Sequence, residues 1–434
     1  MFRLLKRKIL IVTRIFFLLF AGLVTGLVAG CASVPDVAEE SSDLALWLEE
    51  AHRYKHDLST DHPDHIDNIL AISAPMREAI NTHFVDLHKS DIAPKMAAWL
   101  VDKLDGHRMH YNVEANLTPA EAFEKREGNC LTFTILLTTM AAELDVELKY
   151  NEVDLPDVWN QSEEEKDAAV VLYRHINAIR DTSTGQYVFD LAIQDYDANY
   201  PQRVIPRNNA IALLHNNKAI EKFKKNDLEA AMHYLKLAVS YYPKNPDIFI
   251  NLGAVLKYIG EKELAEQSVL HALRLDRNSH LAASKLERWY RADGDLTKAK
   301  KYGRLARSSR NRNPYYQYAR AEKSFNAKEY KVAQRYIRRA KNLYDQDSRF
   351  FWLSSRVERK LGKHINALRE LVSAHELAKT EEQRNIYEAE AVELANAIKN
   401  DDSKNSDTAA LNKIGENITT DSLDELNLRR ARYR

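Results

Sequence analysis

Cysteine is nearly absent from this 434-residue chain, which has only Cys31 and Cys130. At most one bridge can form, so a disulfide framework is excluded and stability must come from buried apolar surface. Net charge is absent too: 63 basic residues match 63 acidic ones. The apolar run Ile15–Val28 has 14 residues, short of the about 20 that a comfortable membrane-spanning helix needs. What the chain does have is 45% apolar content, enough over this length for two or three domains with real cores.

The zero charge conceals an asymmetry. Residues 1–30 carry five basic residues (Arg3, Lys6, Arg7, Lys8, Arg14) and no acidic ones, and their removal leaves 58 basic against 63 acidic. A basic start followed by a short apolar run has the form of a signal peptide. It ends in Val28-Ala29-Gly30-Cys31, which resembles the bacterial lipobox. That resemblance implies cleavage before Cys31 and acylation of the new N-terminal cysteine; an uncleaved N-terminal anchor is the alternative. Ala32 rather than Asp after the cysteine implies sorting to the outer membrane, facing the periplasm. Residues 31–42 read as a tether.

The most informative stretch is NLTPAEAFEKREGNCLTFTILLTTMAAELDVELKY, residues 116–150. Thr118, Pro119 and Glu121 supply an N-cap, a first-turn proline and a third-position acid for a short helix. Gly128-Asn129-Cys130 then turns into a segment whose Leu131, Phe133, Leu136, Leu137, Met140 and Ala141 have helical spacing. Cys130 falls in the first turn, where free N–H groups and the helix dipole favour a thiolate. Before this stretch, helices are expected over residues 43–58, 64–87 and 92–104. After it the pattern alternates, with strands expected around residues 146–150, 171–179 and 186–192, and a surface loop at the acidic insert 162–167. A hairpin centred between Thr182 and Ser183 sets His175 directly opposite Asp190, the pairing in which a carboxylate fixes an imidazole tautomer.

Gly-x-Cys at a helix start, a strand histidine and an aspartate one hairpin later resemble the transglutaminase-like superfamily, over about residues 85–200. The resemblance implies an α+β fold, helices on a small antiparallel sheet, with Cys130 as nucleophile, His175 as base and acid, and Asp190 as the orienting carboxylate. There are departures from the family pattern: Leu131 stands where an aromatic residue is common, Ile176-Asn177 rather than an aromatic pair follow the histidine, and no proline follows Asp190. The histidine pairs His62/His65 and His107/His110 lack a set of further ligands, so neither a metal nor an organic cofactor is implied.

From residue 208 the chain repeats. Alanines recur at 231, 265, 299, 333 and 367, and again at 238, 272, 306, 340 and 374, always 34 apart. Ala219, Gly253, Ala321 and Ser355 form a third series that Glu287 interrupts. This pattern resembles the tetratricopeptide family and implies an all-α solenoid of about five helical hairpins, closed by a capping helix at 381–399. Residues 298–363 hold 20 basic and 5 acidic residues with interleaved aromatics. Aromatics in the repeat core account for most of that pattern, but the excess charge implies a partner with an anionic surface, met through Arg335, Arg338 and Arg339. Export argues against nucleic acid. Residues 400–434 read as a disordered tail.

The divisions expected are thus 1–30, 31–42, a transglutaminase-like domain at 43–205, the array at 208–399 and the tail. The function they imply is an envelope lipoprotein acting on amide bonds through a thioester, resolved by water (peptidase or amidase) or by an amine, while the repeats recruit a protein or peptide. The alternative is an inactive scaffold of the same fold.

Overall fold

The structure is a computed structural model that describes residues 42–154, 175–183, 185–191 and 200–399. The signal segment with Cys31, most of the tether, the insert at 162–167 and the tail lie outside the described residues.

Four helices open the described chain: α1 (Ser42–Tyr54), α2 (Ile66–Ile69), α3 (Ala74–His83) and α4 (Lys89–Val101). The single helix expected over residues 64–87 is therefore two. The break has a local cause: the Ser73 side chain accepts from the Met76 N–H at 3.4 Å, and Pro75 sits in the first turn. A new N-cap and a residue without an N–H start a helix rather than continue one.

A two-residue strand β1 (His110–Tyr111) precedes α5 (Pro119–Lys125) and pairs in parallel with β2 (Glu127–Gly128). α5 starts as the sequence implies, with a capping box between Thr118 and Glu121. α6 (Cys130–Ala142) follows at once. This helix is buried on nearly every side because it is central, and its threonines Thr132, Thr134 and Thr138 are buried with the apolar residues. Phe133, Leu136, Leu137 and Met140 are fully buried against α3, α4 and the sheet, and each such burial is worth about 1.5–3 kcal/mol.

Among the described residues the sheet has four antiparallel strands in the order β5-β4-β3-β6: β3 (Lys149–Val153), β4 (His175–Thr182), β5 (Gly185–Phe189) and β6 (Gln202–Ile205). The first strand begins later than expected, because Asp145 takes a left-handed φ of 55° and the Val146 N–H returns to Ala141 O, closing α6. The alternating pattern did not single out β6.

Pro206 is the N-cap of α7 (Arg207–Lys224), so sheet and solenoid join without a linker. The solenoid is five helical hairpins. α7 pairs with α8 (Leu228–Tyr241), α9 (Pro246–Tyr258) with α10 (Lys262–Leu275), and α11 (His280–Ala292) with α12 (Leu296–Asn311). α13 (Pro314–Asn326) pairs with α14 (Tyr330–Leu343), and α15 (Ser348–Lys360) with α16 (His364–Glu376). α17 (Glu381–Lys399) covers the last hairpin.

All ten phased alanines are buried. The exception at Glu287 has an answer in the facing helix. A Cβ on Gly303 would lie 2.5 Å from Glu287 Oε1, whereas a Cβ on Gly253 would lie 2.5 Å from Val269 Cγ2. Residues 269 and 303 hold the same place in successive repeats, so large and small have traded helices in the third hairpin.

Candidate active site

Cys130, His175 and Asp190 converge. Their sulfur, nitrogen and oxygen atoms lie within 4.8 Å of one another. Asn129 caps α6 by accepting from the Thr132 N–H at 2.9 Å, and donates to Asn116 Oδ1, also at 2.9 Å. Thr132 Oγ1 donates to Ala115 O at 2.8 Å. The first turn is therefore fixed from outside the helix, and Gly128 is needed there: a Cβ would come within 2.9 Å of Thr132 Cγ2. As the first residue of α6, Cys130 has an N–H with no intrahelical acceptor, so it can serve as an oxyanion donor.

Thr134 links the thiol's helix to the histidine's strand. Its hydroxyl, one turn below Cys130, lies 3.0 Å from Ile176 O and 2.8 Å from Cys130 O. The residue beside Ile176 is His175, so this contact sets the spacing between thiol and imidazole.

His175 Nε2 lies 2.5 Å from Asp190 Oδ2, with both side chains buried. The pair forms, but not through the register expected. Thr182 faces Gly185 and Ala178 faces Phe189, so the turn is centred one residue later than the sequence suggested. Continuing that register sets Asp190 opposite Asn177 and diagonal to His175. A turn displaced by one residue shifts the pairing by two, which leaves Asp190 on the same face. Asn177 Nδ2 also donates to Asp190 Oδ2, at 3.2 Å.

Burial works against a charged His175, but the hydrogen bond to Asp190 and the interaction with Cys130 outweigh it and raise its pKa to about 10. The imidazolium form is thus favoured across neutral pH. Asp190 holds Nε2, which leaves Nδ1 to exchange a proton with the thiol. The arrangement has the parts of an activated nucleophile: thiol, base and orienting group. The same cysteine, histidine and carboxylate could also hold a thiophilic ion.

Asn177, Asn151 and Gln202 continue the polar chain away from the site. Asn151 Nδ2 donates to Asn177 Oδ1 at 2.9 Å and to Gln202 Oε1 at 2.8 Å. No motif marks Asn151 or Gln202, and Asn177 stands out in the sequence only as a departure from the family pattern, because the role of a buried asparagine depends on its register.

The histidine pairs do not act as pairs. His107 stacks on Trp99 and Phe123, with Nε2 2.6 Å from Phe123 O, while His110 lies 3.7 Å from Glu127. Arg335, Arg338 and Arg339 are exposed on α14. Much of the basic stretch is already engaged: Arg320 lies over Tyr316 and Tyr336, and Arg356 over Phe325 and Trp352. Tyr315 and Phe350 are buried in the repeat core.

Neither a protein-family model nor a curated protein matches the chain. Among solved structures it is similar to a MamA protein (18% identity, 41% of this chain and 95% of that one, TM-score 0.21). It is also similar to pilF of Pseudomonas aeruginosa (15%, 45% and 93%, TM-score 0.24). A thermophilic TPR protein of Thermus thermophilus is a third (18%, 42% and 98%, TM-score 0.21). Likeness at this level carries no functional argument, and the repeat architecture here rests on the five hairpins themselves.

Proposed function

We propose that the chain couples a transglutaminase-like thiol site to a tetratricopeptide-like array that recruits a protein partner. The observation that carries this reading is the buried His175–Asp190 pair beside a cysteine at a helix start. In the reaction, the Cys130 sulfur attacks a carboxamide carbon while His175 passes a proton to the leaving amine. The product is a thioester. Water then gives an acid, or a second amine gives a new amide, and either restores the thiol.

Supporting the array's role, paired helices present extended surfaces suited to peptides and proteins, and the stretch 298–363 favours an anionic surface on the partner. The lipobox-like residues before Cys31 support an envelope lipoprotein held at the outer membrane. Cys31→Ser is expected to abolish membrane retention and acylation; normal retention of that variant would contradict the anchor.

A second reading has its own observation. Cys130 is 8% exposed and His175 6%, which suits a scaffold that keeps the fold without turnover. Trapping separates the two. Incubation with amide peptides or an amide-like electrophile, followed by mass spectrometry, should find an acyl adduct on Cys130 that Asp190→Asn diminishes. No adduct from any amide, with the array still retaining its partner, supports the scaffold.

A further inference from the structure

A second set of donors converges away from the thiol, and its third member comes from the repeat array. His62 and Asp64 lie in the turn between α1 and α2, while His233 lies on α8 of the first hairpin. One ligand atom from each lies within 4.8 Å of the others. His233 Nε2 is 3.1 Å from Asp64 Oδ2, and His62 Nδ1 is 3.9 Å from the same oxygen. Zinc bonds of about 2.0–2.2 Å in tetrahedral geometry place donors on the order of 3.3 Å apart, between those two separations.

The groups behind the donors are already set. Tyr54 Oη lies 2.9 Å from His233 Nδ1, the outer hydrogen bond that turns Nε2 toward Asp64. Tyr241 Oη donates to Asp64 O at 3.3 Å, and Asn68 Nδ2 donates to His62 O at 2.9 Å. His62 Nδ1 accepts from the Asp64 N–H at 3.1 Å; a bound ion takes the place of that N–H. Asp64 is buried, while His62 and His233 are 35% and 24% exposed, so an ion can enter with water as its fourth ligand. His65 takes no part: its ring accepts from the Asp67 N–H and caps α2.

We propose that His62, Asp64 and His233 bind one divalent transition ion of the zinc type, which fastens the turn after α1 to the first hairpin of the array. Two imidazoles and one carboxylate suit zinc and its neighbours better than calcium or magnesium, which prefer all-oxygen sites. Bridging residues about 170 apart in sequence, the ion would stabilise the folded chain by mass action.

The test is zinc titration by calorimetry on the full chain carrying Cys130→Ser, which removes the competing cysteine–histidine–aspartate set. One equivalent of Zn²⁺ should bind, the unfolding temperature should rise with zinc, and Co²⁺ should give a tetrahedral d–d spectrum. His62→Gln and His233→Gln should each weaken binding by at least about tenfold, and Tyr54→Phe by less. His62→Gln alters a partly exposed side chain, so it tests the site without disturbing the core. No zinc uptake by the Cys130→Ser protein overturns the proposal, as does uptake that His62→Gln leaves unchanged. These outcomes do not depend on whether the thiol site is catalytic.

Discussion

Asp190 accepts from two donors at once, His175 and Asn177, and that double hold is what makes a buried carboxylate an orienting group. Because the folded-state pKa of His175, about 10, lies above the ordinary 6.5, its pairing stabilises the fold fully below pH 6.5. That contribution is lost as pH rises through about 10. Asp190→Asn should therefore lower the unfolding temperature near neutrality, and the gap from the unsubstituted protein should close above about pH 10; a gap independent of pH would contradict the assignment. Thr134→Val should cost about 1 kcal/mol by removing the hydrogen bond to Ile176 O and should also slow alkylation of Cys130; destabilisation with unchanged alkylation would show that Thr134 does not set the thiol's position. The triad was legible because its chemistry needs particular residue types and because side-chain parity survives a misplaced turn. Asn177 and Thr134 were not, since their roles exist only once register and helix docking are known.

Among the elements, the repeats were the most legible, because a 34-residue step is a covalent count that tertiary packing cannot blur. The step continues where glycine does not: Gly260, Gly294 and Gly362 take φ of 96°, 81° and 75°, and Asn226 and Lys328 hold the corresponding turns at 60° and 63°. A lysine there carries a left-handed cost of about 1–2 kcal/mol, so Lys328→Gly should raise thermal stability, by up to about 1 kcal/mol after the added chain entropy of glycine. Denaturant unfolding that shows a loss would contradict this. Gly303→Val, isolated, should destabilise by pressing on Glu287; paired with Glu287→Ala it should be rescued, a coupling that a double-mutant cycle measures. The helices before the thiol were less legible, since apolar spacing runs through Ser73-Ala74-Pro75 while capping chemistry breaks there.

At the scale of the whole molecule, the α+β part is seated on the first hairpin: Lys55 N–H donates to Ser240 Oγ at 3.0 Å, and Lys236 pairs with Glu50. This seating was invisible in the sequence, as it joins segments some 180 residues apart through ordinary polar side chains. The basic surface proposed for the array is tested separately from the thiol. Reversal at Arg335, Arg338 and Arg339 should weaken capture of an acidic partner at low salt and leave Cys130 alkylation unchanged; undiminished capture would remove the basic surface from the account. The central claim, that His175 activates Cys130, is tested most directly by the pH dependence of Cys130 alkylation, read at that peptide by mass spectrometry. The unsubstituted protein should react well at about pH 6, and His175→Ala should react at least about tenfold more slowly there, its rate rising only toward the ordinary thiol range near 8.5. Equal rates for the two proteins at about pH 6 would contradict it.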